Sequence, residues 1–122
     1  MTILIKRVYE KYAEQDGFRV LVDRLWPRGL KKTEACLDLW LKDIAPSPGL
    51  RQWFGHKPEN WDSFRRQYRE ELDRNDAVRQ LLSHAGNDGL TLLYAAKDPE
   101  FNHARVLAEY LNERLTDDDN HA

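Results

Sequence analysis

The chain has one cysteine, one methionine and only six glycines in 122 residues, and each scarcity excludes something. A single thiol, Cys36, can close no internal disulfide and cannot by itself build a cysteine zinc site. The glycines form no phosphate-cradling loop, and no serine sits in a nucleophile elbow. No apolar run approaches the roughly 18 residues of a membrane helix. The opening MTILIKRVYE lacks the order of charge, apolar core and small residues that marks a secretory leader. Net charge is only −2, so no overall field draws the chain toward nucleic acid. The expected location is the cytoplasm. His56, His84, His103 and His121 show no ligand spacing, so neither a metal nor another cofactor is expected.

What the chain does have is 41% hydrophobic content with four tryptophans beside 33% charge, a balance that suits one packed domain. That domain is expected over residues 1–115, with an acidic, disordered tail over 116–122. TILIKRV is rich in β-branched residues and reads as a strand. FRVLVD, mostly apolar, reads as a strand covered on both faces. CLDLWLKD alternates, with Leu37, Leu39 and Leu41 on one side and Cys36, Asp38, Trp40 and Lys42 on the other. That pattern favours a third strand, with a short helix as the alternative, and a buried, structural Cys36.

Ser47 and Pro48 make a helix start. Trp61, Phe64, Tyr68 and Leu72 then recur at spacings of three and four, which stacks them into one helical stripe. DAVRQLLSHAG reads as a shorter helix closed by Gly86. LTLLYA is the clearest strand, and it runs into a helix for which Asp98 and Pro99 supply a cap and a first residue. The fold class is α/β: a small, mostly parallel sheet of about four strands with helices packed on it.

Two loops that follow strands carry the candidate chemistry. In DRLWPRGLKK, Pro27 and Gly29 stiffen the backbone, so that Arg24 and Arg28 point in fixed directions, as bidentate anion binding requires. In AAKDPEFNH, Lys97 precedes a helix start whose amides and dipole favour an anion. Ligands gather beyond the carboxyl ends of strands in open α/β sheets, where both loops belong. If the two strands are neighbours, one pocket results. Arg24, Arg28 and Lys97 would hold the charge, Asn102 would orient the ligand and Trp26 would wall it. His103 would carry a proton, Asp23 would act as base or orient an arginine, and Lys42 and Asp43, after the third strand, would stand in a second rank. Each has a plainer reading: surface ion pairs for the arginines, a core lid for Trp26, a helix cap for Asp98.

VDRLWPRG, LKDIAPSPGLRQWFGHKPENWDSF and LLYAAKDPEFNHA, in that order, closely resemble the YeaO-like family, a branch of the domain of unknown function numbered 488. The resemblance covers nearly the whole chain. It implies a small bacterial cytoplasmic α/β domain and leaves the biochemical role open. More distant members resemble a pattern of Cys-His-Arg at the last strand–helix turn. This chain has Asn102, His103 and Ala104 there, and asparagine cannot serve as a thiolate, so no cysteine mechanism is implied.

Three readings compete. The first is a pocket for a small phosphate- or carboxylate-bearing ligand, with or without catalysis. The second is a nucleic-acid or protein-binding module that uses the basic loop and Trp26 as a surface patch. In the third, the signature only holds the fold together.

Overall fold

The computed structural model describes residues 3–55, 57–85 and 89–121, with 116–121 given by backbone alone. Four strands form one sheet: β1 (Ile3–Arg7), β2 (Phe18–Leu21), β3 (Leu39–Trp40) and β4 (Leu90–Tyr94). Their order is β1-β4-β2-β3, and every pairing is parallel. The helices are α1 (Lys32–Ala35), α2 (Pro48–Phe54), α3 (Trp61–Asp73), α4 (Ala77–His84) and α5 (His103–His121). No helix among the described residues is long and apolar enough to cross a membrane. The expected acidic tail and the proposed helix end at Gly86 lie outside the residues whose side chains are described, as do His56 and His121.

Alternation along the strands divides the core in two. Ile3, Val20, Val22, Leu90 and Leu92 face a layer made by α2, α3, α4 and α5. The α3 stripe enters that layer as expected, with Phe64, Tyr68 and Leu72 buried and Trp61 packed at its margin. Each such buried side chain contributes about 1.5–3 kcal/mol of transfer free energy. The opposite face of the sheet, with Val8, Leu21 and Leu93, is covered without any long helix. Trp26, Leu30, Leu37 and Trp40, from the chain between β2 and the end of β3, do that work. Both faces of β4 are therefore buried, which is why LTLLY is apolar almost throughout.

Arg19 sets the second face apart. It is fully buried together with Asp16, and the two form an ion pair. Lys6 Nζ adds a contact to Asp16 Oδ2 at 3.0 Å. The Arg19 guanidinium also donates to the carbonyls of Cys36 (3.0 Å) and Ala35 (3.2 Å), while its backbone N–H goes to Asp38 Oδ2 at 2.8 Å.

These bonds explain a correction to the expected third strand. Asp38 N still donates to the Arg19 carbonyl at 2.9 Å, but the Arg19 N–H and the carbonyls of Ala35 and Cys36 go to side chains, and β3 is two residues long. Cys36 instead ends α1 in the left-handed region, at φ 50°, and its side chain is exposed rather than buried. A second correction concerns α5. Asp98 Oδ1 accepts from the amides of Glu100 and Phe101, which closes a turn ahead of the helix. The helix itself starts at His103, and Asn102 caps it by accepting from Arg105 N at 3.0 Å.

Candidate functional site

Because β2 and β4 are hydrogen-bonded neighbours, the chains leaving their carboxyl ends emerge side by side. The ladder first runs on, with Val22 N donating to the Leu93 carbonyl at 3.0 Å. One residue further, a side chain replaces the backbone: Asp23 Oδ2 accepts the Ala95 amide at 3.0 Å. Asp23 is thereby clamped between the two strands. His103, the first residue of α5, reaches the same point. Its Nε2 lies 3.0 Å from the Val22 carbonyl and 3.0 Å from Asp23 Oδ1. Only the contact to the carbonyl has hydrogen-bond geometry, so Oδ1 stays buried without a hydrogen bond.

Arg24 turns the other way, toward the chain between β3 and α2. Its NH2 donates to the carbonyls of Ala45 and Pro46, both at 3.3 Å, which fixes the plane of the guanidinium. Its Nε is buried and has no hydrogen-bond partner among the described residues. Between these groups lies a cavity of about 240 Å³. Asp23, Arg24, Arg51, Asn102 and His103 supply its polar wall, and Ala45, Pro46, Phe54, Phe64, Ala95 and Ala96 supply the rest.

Tyr68 supports the site from below. Its ring stands edge-on to His103, with centroids 6.4 Å apart, and its hydroxyl donates to the Ile44 carbonyl at 2.7 Å. Burial, and then the charges of Glu71 and Asp23, push its pKa well above the ordinary phenol value. It therefore remains a hydrogen-bond donor at any physiological pH.

Of the nine residues singled out from sequence, Asp23, Arg24, Asn102 and His103 meet in this cavity, and the other five stand outside its wall. Trp26 turns into the second face of the sheet, where its indole N–H donates to the Leu30 carbonyl at 2.7 Å and its ring meets Trp40 edge-on at 5.3 Å. Arg28 is exposed, and its carbonyl accepts the Tyr9 hydroxyl at 2.7 Å. Lys42 lies with Nζ 4.3 Å from the centre of the Trp40 ring, a cation–π contact. Lys97 is exposed in the loop after β4.

Sequence reasoning missed Arg51, on α2. The available signal was positional: Ser47 and Pro48 start that helix just beyond β3, so its first turns had to lie at the same end of the sheet. Ser47 does cap it, accepting from Leu50 N at 3.3 Å. Leu50 and Phe54 face the core, and Arg51 sits at the cavity margin.

Comparison with known proteins gives relatives by sequence. The family model of the inactive DUF488-N3 subclade matches residues 2–122. The uncharacterized protein YeaO of Escherichia coli is 47% identical over 112 residues, which cover 91% of this chain and 97% of that protein. The uncharacterized protein Mb3100c of Mycobacterium bovis is 42% identical over 112 residues, covering 92% and 95%. No solved structure matches the chain significantly.

Proposed function

The chain belongs to the YeaO-like DUF488 family, in its inactive DUF488-N3 subclade, and from that premise we propose that it binds a small phosphate- or carboxylate-bearing ligand without turning it over. The observation that carries this reading is that Arg24 and Arg51, from different elements, line one concave cavity at the carboxyl ends of β2 and β4. The start of α5, a helix of 19 residues, lies against the same cavity and adds the positive end of its dipole. Two arginines and a helix start favour an anion, and the apolar remainder of the wall favours a small organic one.

The description of the subclade as inactive speaks for binding over catalysis. So does Asn102, whose amide serves the structure at both ends: Nδ2 donates to the Asp98 carbonyl at 2.9 Å while Oδ1 caps α5. In this reading His103 and Asp23 orient the ligand. We also place the protein in the bacterial cytoplasm: its relatives are from bacteria, and a single cysteine suits a reducing compartment. The inward packing of Trp26 supports the pocket over a nucleic-acid patch, since a stacking platform needs an open aromatic face.

Thermal-shift titration with inorganic phosphate and with short carboxylates tests the proposal. A ligand that binds only the native state raises its melting temperature. Stabilisation is expected for the native sequence, weakened about tenfold by Arg51→Ala and about a hundredfold by Arg24→Ala with Arg51→Ala, since each charge-assisted bond is worth about 1.5–3 kcal/mol. Equal affinity in the double variant would sink the reading. Because Arg51 is exposed, its single variant should keep the fold.

A further inference from the structure

Two residues that line the cavity each hold a buried polar atom without a hydrogen-bond partner among the described residues, and the atoms are of opposite kind. Arg24 Nε is a donor, and Asp23 Oδ1 is an acceptor. His103 only partly repairs the second: its Nε2 lies 3.0 Å from Oδ1 and from the Val22 carbonyl alike, and only the carbonyl contact has hydrogen-bond geometry. Burying both kinds of group unmatched in a folded protein is unusual and costly, which makes the pair informative about what completes the site.

The charge pattern narrows the chemistry further. A carboxylate in the wall of an otherwise cationic cavity repels a bare dianion and matches a ligand carrying a positive or donor group beside its negative one. Asp23 and Arg24 diverge from adjacent positions yet line the same small cavity, so one small ligand has to carry both groups. At about 240 Å³ the cavity falls below the roughly 300–1,000 Å³ usual for drug-sized ligands. Phe54, Phe64 and Pro46 in its wall give a short apolar side chain somewhere to lie.

Resting on the anion-binding reading above, we infer that the ligand is a small carboxylic acid with a hydrogen-bond donor on the carbon next to the carboxyl group, and that an α-amino acid fits best. Its carboxylate would meet Arg24 Nε and Arg51, and its ammonium would meet Asp23 Oδ1. An α-hydroxy acid offers the same pattern with a neutral donor, and a charge-assisted bond is the stronger of the two.

Four probes decide it by calorimetric titration of the full chain: L-valine, 2-hydroxy-3-methylbutanoate, 3-methylbutanoate and inorganic phosphate. The first three share a carbon skeleton and differ only in the donor. L-valine is expected to bind at least tenfold more tightly than 3-methylbutanoate, with the hydroxy acid between them and phosphate weaker than valine. Asp23→Asn keeps an acceptor for the Ala95 amide and should cut the valine preference to less than threefold while the plain acid still binds. If 3-methylbutanoate or phosphate binds as tightly as valine to the native protein, the inference falls and the anion pocket stands. If none of the four binds, both fall. The comparison among probes needs no variant, so an unstable Asp23→Asn protein would not spare the inference.

Discussion

Asp23 Oδ2 accepts the Ala95 amide at 3.0 Å, so one carboxylate stitches the end of β2 to the end of β4 where the backbone ladder stops. Removing it leaves a partly buried N–H without its partner. Asp23→Ala is expected to cost about 1–3 kcal/mol of stability, and Asp23→Asn clearly less. Urea unfolding midpoints at neutral pH would check the order. Equal losses in the two variants would mean that the clamp contributes nothing.

Asp16 makes stability depend on acid. Burial by itself would raise its pKa, but hydrogen bonds from Lys6, the Ala13 amide and Arg19, with the Lys6 charge, together bring it below the ordinary 3.8. A carboxyl group with a depressed folded-state pKa adds stability that is fully present above the unfolded value. That contribution is lost as pH falls through the lower, folded value. The advantage of the native protein over Asp16→Asn should thus be constant above about pH 5 and shrink below about pH 4. A series of urea midpoints across that range reads it directly.

Arg19 should tolerate truncation worst of all. Arg19→Ala would leave Asp16 with Lys6 as its remaining charged partner and would strip donors from the Ala35 and Cys36 carbonyls. A loss of about 3 kcal/mol is expected, the low end for breaking one side of a buried pair, because Lys6 still compensates the carboxylate. Asp16→Asn with Arg19→Met should recover part of it. A double variant no better than Arg19→Ala would show that packing, not charge, dominates there.

Asn102 is a cap before it is anything else. Asn102→Ala is expected to lower stability by about 1 kcal/mol or more, and Asn102→Asp to recover only part of it, since aspartate caps equally well but loses the bond that Nδ2 gives the Asp98 carbonyl. Thermal melts of the three proteins provide the comparison.

Trp26 separates the two readings of the signature loop. It packs against Trp40 on the second face of the sheet, half-buried. Trp26→Ala should therefore cost about 2–3 kcal/mol, somewhat under the ~3–5 of a fully buried tryptophan. It should leave affinity for single-stranded nucleic acid at the nonspecific level of the native protein. A large, salt-sensitive loss of binding to oligonucleotides would instead restore the surface-patch reading.

The parts legible in the sequence were those with strong local periodicity or capping chemistry. The α3 stripe, the Ser47–Pro48 helix start and β4 each carry a signal over consecutive residues, and each stands as expected. The meeting of DRLWPRG with AAKDPEFNH needed one assumption, that β2 and β4 are neighbours, and the sheet order supplies it. What was hidden depends on contacts between distant positions. Nothing around Arg19 says that a charged residue in the middle of a strand will be buried and will bond the Ala35 and Cys36 carbonyls. Alternation in CLDLWLKD was genuine at Leu39 and Trp40, but the Arg19 bonds overrode it at Cys36. Arg51 was hidden because one arginine among many surface arginines has no local mark. Trp26, Arg28, Lys42 and Lys97 show the limit from the other side: proximity in sequence to a site does not aim a side chain into it.

The indole N–H of Trp40 donates to the backbone carbonyl of Asp23 at 2.8 Å, while the carboxylate of that same aspartate faces the cavity. A chromophore on one face of the sheet is thereby wired to the residue that forms the wall on the other. Ligand binding of the kind proposed would change how Asp23 is held, and with it the polarity around that ring, which makes Trp40 the place to look for an optical signal. Emission from a variant keeping Trp40 as its sole tryptophan fluorophore would then follow filling of the cavity without an added label.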